Sequence, residues 1–441
     1  MGKYQGYEKY KDSGVEWLGE IPEHWQSLKI KRLTVIKRGA SPRPIDDPKY
    51  FDDDGEYAWV RIADVTASER YLETTTQKLS ELGKSFSVPL EPGKLFLSIA
   101  GSVGKPIITK IKCCIHDGFV YFPDLKINEK FIYYIFNSGQ PYLGLGKLGT
   151  QLNLNTETVG GITIGLPPLD EQETIARFLD HKTKQIDDLI AKKEALLEKL
   201  DEKRTALISH AVTKGLDPSV PMKDSGIEWL GEIPEHWELK RLKFAVSQII
   251  DAEHKTATYD DDGDYLVVRT ANVRAGKLLL ENAKFTNESV YQEWTIRAVP
   301  EKGDILFTRE APAGEACLVP EKPIVCLGQR MVLFKFNKNQ YDGYFLLQSL
   351  YSGIADQFIK SLSLGSTVTH FNMSDIGSIP LFIPPYNEQK KIGKFLAEKI
   401  NNFDEQVKKV KTGIELLKEY RTALITNAVT GKIDVRQVPI L

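Results

Sequence analysis

Two short segments of the sequence come close to a motif that performs methyl transfer. Residues 383–386 read Ile-Pro-Pro-Tyr, near the (Asn/Asp)-Pro-Pro-(Tyr/Phe/Trp) motif whose polar first residue grips the target amine in adenine-N6 methyltransferases. The side chain of Ile383 cannot accept that hydrogen bond. Residues 166–169 repeat the pattern as Leu-Pro-Pro-Leu and also lack the aromatic residue. Since proline fixes the backbone, both segments predict a rigid connection between a domain and a helix, without catalysis.

A second segment resembles part of a phosphate-binding loop. Residues 101–105 read Gly-Ser-Val-Gly-Lys, whereas the loop requires Gly-x-x-x-x-Gly-Lys-(Ser/Thr). Ile99 stands where the first glycine belongs, and Pro106 follows the lysine. The corresponding residues 311–315 contain no lysine. We therefore expect no ATP site, although a glycine-bearing loop after a strand is well placed for contact with DNA.

Aspartates and cysteines could form metal sites. The aspartate runs at 52–54 and 260–262 are each followed by glycine and then by a predicted strand, which is typical of a tight turn. The four cysteines lack the spacing of a zinc knuckle, so we expect reduced core thiols in a cytoplasmic protein. His24 and His236 lie between aromatic residues and are predicted to be structural. The sequence thus predicts neither a metal site nor a catalytic residue.

The sequence contains an internal duplication, in which a unit of about half the chain occurs twice. Residues 12–25 return almost unchanged at 224–237, and the Arg-Thr-Ala-Leu-Ile segment at 204–208 returns at 421–425. The repeated unit is far longer than the roughly 20–50 residues of a solenoid repeat. It therefore indicates tandem duplication of a whole domain with an appended segment.

Each copy begins with a globular part, which we call a head. The heads have short apolar runs bounded by turn residues, which predict strands, and each is expected to be an α+β domain with a curved or barrel-like sheet. The predicted strands are 57–65, 94–100, 119–122, 265–273, 304–308 and 331–336, and the predicted helices are 129–137 and 341–351.

Each copy ends with a long helical segment. Apolar residues occupy the a and d positions of a heptad in the second copy and most of them in the first, where Thr183 and Lys193 are exceptions, and Arg204 and Arg421 interrupt the two stripes at matching places. This pattern predicts helices that pair with each other; the alternative is that each packs on its own head. The fold class is α+β, with two similar heads separated by a pair of long antiparallel coiled-coil helices in a pseudo-two-fold repeat. The predicted boundaries are 1–165 for the first head, 166–214 for the first helical region, 215–222 for a linker, 223–382 for the second head, 383–431 for the second helical region and 432–441 for a tail.

Charge is segregated along the chain. The formal net charge is −2, yet the segment 29–43 contains six basic residues and no acidic one. Such clustering suits a protein that meets phosphate with one face. No apolar run is long enough to cross a membrane.

Three repeated motifs resemble the specificity subunit of Type I restriction–modification systems. They are the segment 12–25, the Pro-Pro-x-x-Glu-Gln helix starts at 167–172 and 384–389, and the Arg-Thr-Ala-Leu-Ile helix ends. The resemblance covers nearly the whole chain. It implies that each head is a target recognition domain reading one half of a split DNA sequence, and that the helices space the heads and dock methyltransferase subunits.

The same resemblance implies a division of labour between subunits. This chain is expected to bind double-stranded DNA, to have no catalysis of its own and to bind no cofactor or metal. Its partners would be two methyltransferase subunits that use S-adenosylmethionine, and restriction/translocase subunits that use ATP and Mg²⁺. Two alternatives stay open: a solitary DNA-modifying enzyme (adenine methyltransferase or nuclease) with an unrecognised active site, and a scaffold that does not bind DNA.

Basic and amide residues in predicted loops are the candidate DNA contacts. Arg61 and Arg269 occupy matching positions and are expected to fix phosphate or the domain itself, whereas unmatched arginines such as Arg43, Arg309 and Arg330 are better candidates for guanine edges. The full set is Lys37, Arg38, Ser41, Arg43, Arg61, Lys105, Lys147, Thr150, Gln151 and Asn153 in the first head, and Lys255, Arg269, Arg274, Arg309, Arg330, Ser366, Thr367, Thr369 and His370 in the second.

Overall fold

The chain forms two compact units. The computed structural model describes residues 4–143, 145, 154–227, 230–253, 255–310, 312–354, 357–358 and 371–439. Unit 1 comprises Met1–Lys192 with Thr412–Leu441, and unit 2 comprises Lys193–Lys411. Each unit therefore contains one head and parts of both long helices. The unit boundaries fall inside the helices, so the predicted head and linker boundaries stay predictions.

Two helices are much longer than the others. The helices of the described residues are α1 (Ile62–Ala67), α2 (Glu81–Ser85), α3 (Glu129–Asn137), α4 (Thr156–Gly161), α5 (Leu169–Lys214), α6 (Leu242–Ala245), α7 (Glu288–Trp294), α8 (Gly343–Leu350), α9 (Met373–Ser378) and α10 (Tyr386–Val429). None of the helices in these ranges is long and apolar enough to cross a membrane.

The head of unit 1 contains two main sheets instead of the single curved or barrel-like sheet expected. One has the order β4-β12-β9-β10-β6 and the other β7-β5-β11-β8, and two-stranded pairs β1-β2 and β3-β13 flank them. The strands are β1 (Tyr10–Asp12), β2 (Glu20–Pro22), β3 (Gln26–Lys29), β4 (Lys37–Arg38), β5 (Tyr57–Val60), β6 (Tyr71–Leu72), β7 (Gln77–Leu79), β8 (Val88–Leu90), β9 (Leu95–Ser98), β10 (Pro106–Thr109), β11 (Cys113–Ile115), β12 (Phe119–Tyr121) and β13 (Thr163–Leu166).

The head of unit 2 repeats this plan. Its main sheets have the orders β17-β25-β22-β23 and β21-β18-β24, and the pairs β14-β15, β16-β26 and β19-β20 accompany them. The strands are β14 (Met222–Asp224), β15 (Glu232–Pro234), β16 (Glu238–Arg241), β17 (Gln248–Asp251), β18 (Tyr265–Val268), β19 (Val273–Arg274), β20 (Lys277–Leu278), β21 (Phe285–Thr286), β22 (Ile305–Thr308), β23 (Ala316–Leu318), β24 (Ile324–Leu327), β25 (Met331–Lys335) and β26 (Pro380–Ile383).

The strand predicted at 57–65 is too long. Strand β5 ends at Val60 and helix α1 begins at Ile62. The backbone N–H of Arg61 donates to the Asp64 carboxylate at 2.8 Å, and this local bond turns the chain out of the sheet. In unit 2, Asn272 replaces the aspartate and accepts from the Arg269 N–H at 3.1 Å. There the strand predicted at 265–273 likewise stops at Val268 and is followed by a single 3₁₀ turn.

The two long helices pair in opposite directions. In unit 1, Ile186 of α5 shares a core with Leu424 and Ala428 near the end of α10. In unit 2, Ile208 near the end of α5 shares a core with Ile392 and Leu396 near the start of α10. The beginning of each helix thus packs against the end of the other, which makes the pairing antiparallel.

The arginines that interrupt the heptads form ion pairs between the helices. Arg421 Nε lies 2.8 Å from Asp187 Oδ1 and its Nη2 lies 3.2 Å from Oδ2. In unit 2, Arg204 Nη1 lies 3.7 Å from Asp404 Oδ1. A polar residue at a core position fixes the register of a helix pair. The two breaks in the apolar stripes therefore set the alignment of α5 and α10.

A buried glutamate joins the head of unit 1 to the start of α5. The side chain of Glu171 is only 4% exposed. It accepts hydrogen bonds from Tyr7 Oη at 2.5 Å and Trp25 Nε1 at 3.0 Å, and His24 Nε2 lies 2.8 Å from its other oxygen. Burial, and then the hydrogen bond to Glu171, raise the pKa of Tyr7 above its ordinary value. His24 and Trp25 of the repeated segment thus act structurally, by holding this carboxylate.

Unit 2 contains the same arrangement with one partner fewer. His236 Nε2 lies 2.8 Å from Glu388 Oε2, and Trp237 Nε1 donates to Glu388 Oε1 at 3.2 Å. Ser219 stands where Tyr7 stands in unit 1, and the Glu388 side chain is 29% exposed. The glutamine that follows each glutamate makes matching bonds, since Gln172 and Gln389 accept from the backbone N–H groups of Asn128 and Asp342, both at 2.9 Å.

We predict that Glu171→Gln destabilises unit 1 more than Glu388→Gln destabilises unit 2. The amide keeps the shape of the side chain but loses the charge and presents an N–H₂ group to donors, which at a buried site costs about 2 kcal/mol. Glu388 is more exposed and has fewer donors, so its loss is smaller. Hydrogen exchange of residues 20–30 and 232–242 measures the two local opening free energies. Equal protection losses in the two variants would contradict the prediction.

Candidate nucleic-acid interface

Several loops of unit 1 meet at one end of its sheets because of strand register. Strands β5 and β11 are parallel with Val60 beside Ile115, so Arg61 and His116 follow side by side. Ser98 at the end of β9 pairs with Phe119, and Arg38 pairs with Val120. We call the ends of β4, β5, β9 and β11, together with the residues that follow them, the sheet-end surface of unit 1. It contains Arg38, Ser41, Arg43, Arg61, residues 99–105 and residues 116–118.

Three of the predicted DNA contacts converge on one residue that the sequence did not single out. Ser41 Oγ donates to Asp117 Oδ1 at 2.9 Å, and Arg43 Nη2 lies 3.4 Å from Asp117 Oδ2. Arg38 Nε donates to the backbone carbonyl of Asp117. Burial raises the pKa of Asp117, but the Ser41 hydrogen bond, a backbone N–H and the charges of Arg38 and His116 more than offset this and hold it below its ordinary value.

Other predicted contacts of the first head differ in how freely they face solvent. Lys37 and Arg61 are exposed. Lys105 is half-buried and its Nζ donates to the carbonyl of Thr66 at 3.0 Å; burial lowers its pKa, opposed by the charge of Glu69. The loop that carries Lys105 therefore binds the head's own backbone. Lys147, Thr150, Gln151 and Asn153 lie outside the described residues.

Unit 2 builds the equivalent sheet-end surface with different charges. Val268 pairs with Leu327 in parallel strands, and Asp251 pairs with Val332, so Asp251 occupies the position of Arg38. Arg309 donates its backbone N–H to Arg330 O at 2.9 Å, as Ile99 does to Gly118 O. Arg309 and Arg330 therefore occupy the positions of an apolar residue and a glycine.

The four arginines predicted to contact DNA in the second head each make a contact within the protein. Arg309 Nη1 lies 2.5 Å from Asp251 Oδ2, with only 21% of its side chain exposed. Arg330 is half-exposed and lies 2.9 Å from Glu310. Arg269 and Arg274 donate to backbone carbonyls at 2.7 and 2.8 Å. Lys255 is exposed, whereas Ser366, Thr367, Thr369 and His370 lie outside the described residues.

Sequence reasoning overlooked the acidic members of these surfaces. Asp117 and Asp251 were not selected because acidic residues are poor candidates for contact with phosphate. His116 had no partner within its own segment, yet its ring lies 4.4 Å from Phe119 and 5.9 Å from Trp59, and its Nδ1 accepts from the Gly118 N–H at 2.8 Å. The one available signal was a His-Asp-Gly turn between two apolar runs.

The aspartate runs and the cysteines, which could have been metal ligands, form turns and buried thiols. Asp52 Oδ1 accepts from the Asp54 N–H and Asp260 Oδ1 from the Asp262 N–H, at 3.0 and 3.1 Å, as tight turns require. Among the described residues no group of three or more His, Cys, Asp or Glu could hold a metal ion. The four cysteines are free and buried, and burial raises the pKa of Cys113 to about 11.

Comparison with known proteins finds similarity along nearly the whole chain. The family model described as the Type I restriction modification DNA specificity domain matches twice, over residues 22–199 and 234–416. The putative type I restriction enzyme MjaX specificity subunit of Methanocaldococcus jannaschii is 26% identical over 442 residues, covering 95% of this chain and 96% of that protein. The EcoKI specificity subunit of Escherichia coli is 21% identical, covering 95% and 91%.

Solved structures share the fold. A chain from work on the "structural basis underlying complex assembly and conformational transition of the type I R-M system" matches with a TM-score of 0.69 and 14% identity, covering 93% of this chain and 98% of that chain. The HsdS subunit from Thermoanaerobacter tengcongensis matches with a TM-score of 0.50 and 16% identity, covering 94% and 98%.

We predict that His116 makes unit 1 less stable as the pH falls below neutrality. Burial, and then the charges of Arg38 and Arg61, lower its pKa, while Asp117 opposes them. In the unfolded chain the His116 side chain has a pKa of about 6.5. The free energy of unfolding contributed by neutral His116 is therefore complete above about pH 6.5 and is lost as the pH falls through the lower pKa of the folded state. Thermal unfolding of the wild type and of His116→Asn between pH 8 and 5 measures this. The difference in Tm between the wild type and His116→Asn should shrink at low pH. A difference that stays constant across this pH range would refute the prediction.

Proposed function

The chain belongs to the Type I restriction modification DNA specificity family, and we propose that it is a sequence-specific DNA-binding specificity subunit that reads a bipartite target. Each head reads one half of the target. No catalytic residue of its own is needed for this role, because recognition depends on hydrogen bonds to base edges and contacts to phosphates.

The observation that supports this function best is that the two heads have matching strands but carry differently charged side chains at equivalent positions of the sheet-end surfaces. The central strands of the two heads share their order and register, yet Arg38 is replaced by Asp251, Ile99 by Arg309 and Gly118 by Arg330. A duplicated enzyme would retain its reactive groups at matching positions. A duplicated reader of two different half-sites must vary the side chains that face DNA and keep the scaffold that presents them.

We assign the DNA contacts to the two sheet-end surfaces. In the first head Arg38, Ser41, Arg43 and Arg61 lie there, with Lys37 beside Arg38 in β4, and exposed guanidinium groups match the paired acceptors of guanine. In the second head, Arg330 is the more accessible candidate and Arg309 acts together with Asp251. Arg269 and Arg274 brace the backbone beside them.

The proposed partners supply the chemistry that this chain lacks. Methyltransferase subunits would use S-adenosylmethionine, and restriction/translocase subunits would use ATP and Mg²⁺, while this chain would bind none of these cofactors. Buried, unpaired cysteine thiols fit a reducing compartment, so we propose that the complex works in the cytoplasm.

Replacing the second head tests bipartite reading. A chain in which residues 223–382 are exchanged for the corresponding head of a relative, assembled with the methyltransferase subunits, should methylate a motif with one half changed and the other retained. Methylome sequencing before and after the exchange reads both halves at once. A motif changed in both halves, or in neither, would contradict independent heads.

A second experiment separates a recognition subunit from a solitary enzyme. The purified chain should bind DNA in a salt-dependent manner but should transfer no methyl group from radiolabelled S-adenosylmethionine until methyltransferase subunits are added. Methylation by the chain alone would establish the solitary-enzyme alternative. Absence of DNA binding by both the chain and the assembled complex would favour the scaffold.

A further inference from the structure

Asp117 places a negative charge in the middle of the basic sheet-end surface of unit 1. A carboxylate there repels DNA phosphates, so it weakens DNA binding by this surface unless it has a second role. The contacts of Asp117 indicate that role. The carboxylate accepts from Ser41 and faces Arg43, and the backbone carbonyl accepts from Arg38. One residue thereby contacts three of the candidate DNA-binding side chains.

The backbone around these side chains is held by other bonds. Gly39 N–H donates to Phe119 O at 2.9 Å and Ala40 N–H to Ile115 O at 3.2 Å. Tyr50 Oη donates to Arg43 O at 3.0 Å. A Cβ on Gly39 would lie 2.2 Å from His116 O, so the two segments touch closely. We therefore expect removal of the charge of Asp117 to leave the backbone in place and to free only the side chains.

The side chain most in need of this support is Arg43. Its side chain is 78% exposed, and a free arginine loses about 2 kcal/mol of rotamer entropy when a ligand fixes it. A carboxylate that already orients the guanidinium reduces that loss. Asp117 itself is partly exposed, so its charge also opposes binding to any site where the arginines gain only phosphate contacts.

In the described part of the second head, the positions of Asp117 and Arg38 hold residues of different charge. Neutral, exposed Gln329 occupies the position of Asp117, and acidic Asp251 occupies that of Arg38. Any effect of Asp117 should therefore be confined to the half-site that the first head reads.

We propose that Asp117 is a positioning residue for DNA recognition by the first head: it orients Ser41 and Arg43 for base contacts and makes binding to incorrect sequences less favourable. This inference rests on the proposed function. It differs from a structural role because it affects which sequence is read, and in one half-site only.

The test compares Asp117→Asn with Asp46→Asn in the complex assembled with methyltransferase subunits. Asp46 is an exposed carboxylate of the same connecting segment, and within the described residues no hydrogen bond joins it to Arg38, Ser41 or Arg43, so its variant controls for loss of one negative charge. The wild-type motif is first mapped by methylome sequencing. Duplexes carrying that motif, or single changes in either half, then measure discrimination in binding.

We expect Asp117→Asn to lose about tenfold in discrimination within the half-site of the first head, to keep discrimination in the other half-site, and to bind unrelated duplexes slightly more tightly. Asp117→Glu, which keeps the charge, should recover part of the loss, and Asp46→Asn should discriminate like the wild type. Retained discrimination in Asp117→Asn, equal loss in both half-sites, or the same loss in Asp46→Asn would each overturn the proposal.

A wild-type complex that methylates no bipartite motif would instead refute the proposed function, so the two failures are distinguishable. Hydrogen exchange of residues 36–44 and 113–121 in Asp117→Asn checks that the backbone is intact. Loss of protection there together with loss of discrimination would show a structural role and would also overturn the positioning role.

Discussion

The attachment of each head to its helix depends on one carboxylate. Glu171 and Glu388 each stand in the first turn of a long helix and bind the His-Trp pair that closes the repeated segment of their own unit. The end of the other long helix reaches the same place, since Gly431 lies against Pro22 and Trp25, and Gly215 against Trp237. Both glycines have positive φ, and a side chain on Gly431 would collide with Pro22. The repeated segment, the start of one long helix and the glycine that follows the other long helix are therefore parts of one joint, built once in each unit.

A rigid joint allows the remainder of each head to vary. The strands fix where loops emerge, because parallel pairing of β5 with β11 and of β18 with β24 sets neighbouring strand ends at one edge. The side chains at that edge then change without disturbing the frame. Unit 1 presents exposed arginines around Asp117, whereas unit 2 presents an Asp251–Arg309 pair that is largely buried. Recognition of two different half-sites by a single scaffold follows naturally from this separation of frame and surface.

The long helices and the duplication were predictable because their signals are local or repeated. Helix α3 was predicted with its observed bounds, and the heptad pattern predicted which faces of α5 and α10 pack against each other. Strand ends were harder, since the Asp64 and Asn272 side chains that terminate β5 and β18 act through single hydrogen bonds. The two-sheet construction of each head was missed because the pairing of strands distant in sequence leaves no local pattern.

For the candidate site, the sequence alone determined which residues are basic, which lie near turns and which positions correspond between the copies. It could not determine which of them meet. Asp117 reaches Arg38, Ser41 and Arg43 only because β4 and β11 flank the same end of the head. In unit 2, Arg309 reaches Asp251 because β22 and β17 both pair with β25. Composition and spacing are properties of neighbours along the chain, whereas the partner of a charge depends on register between strands that lie far apart in it, and only the tertiary structure decides that.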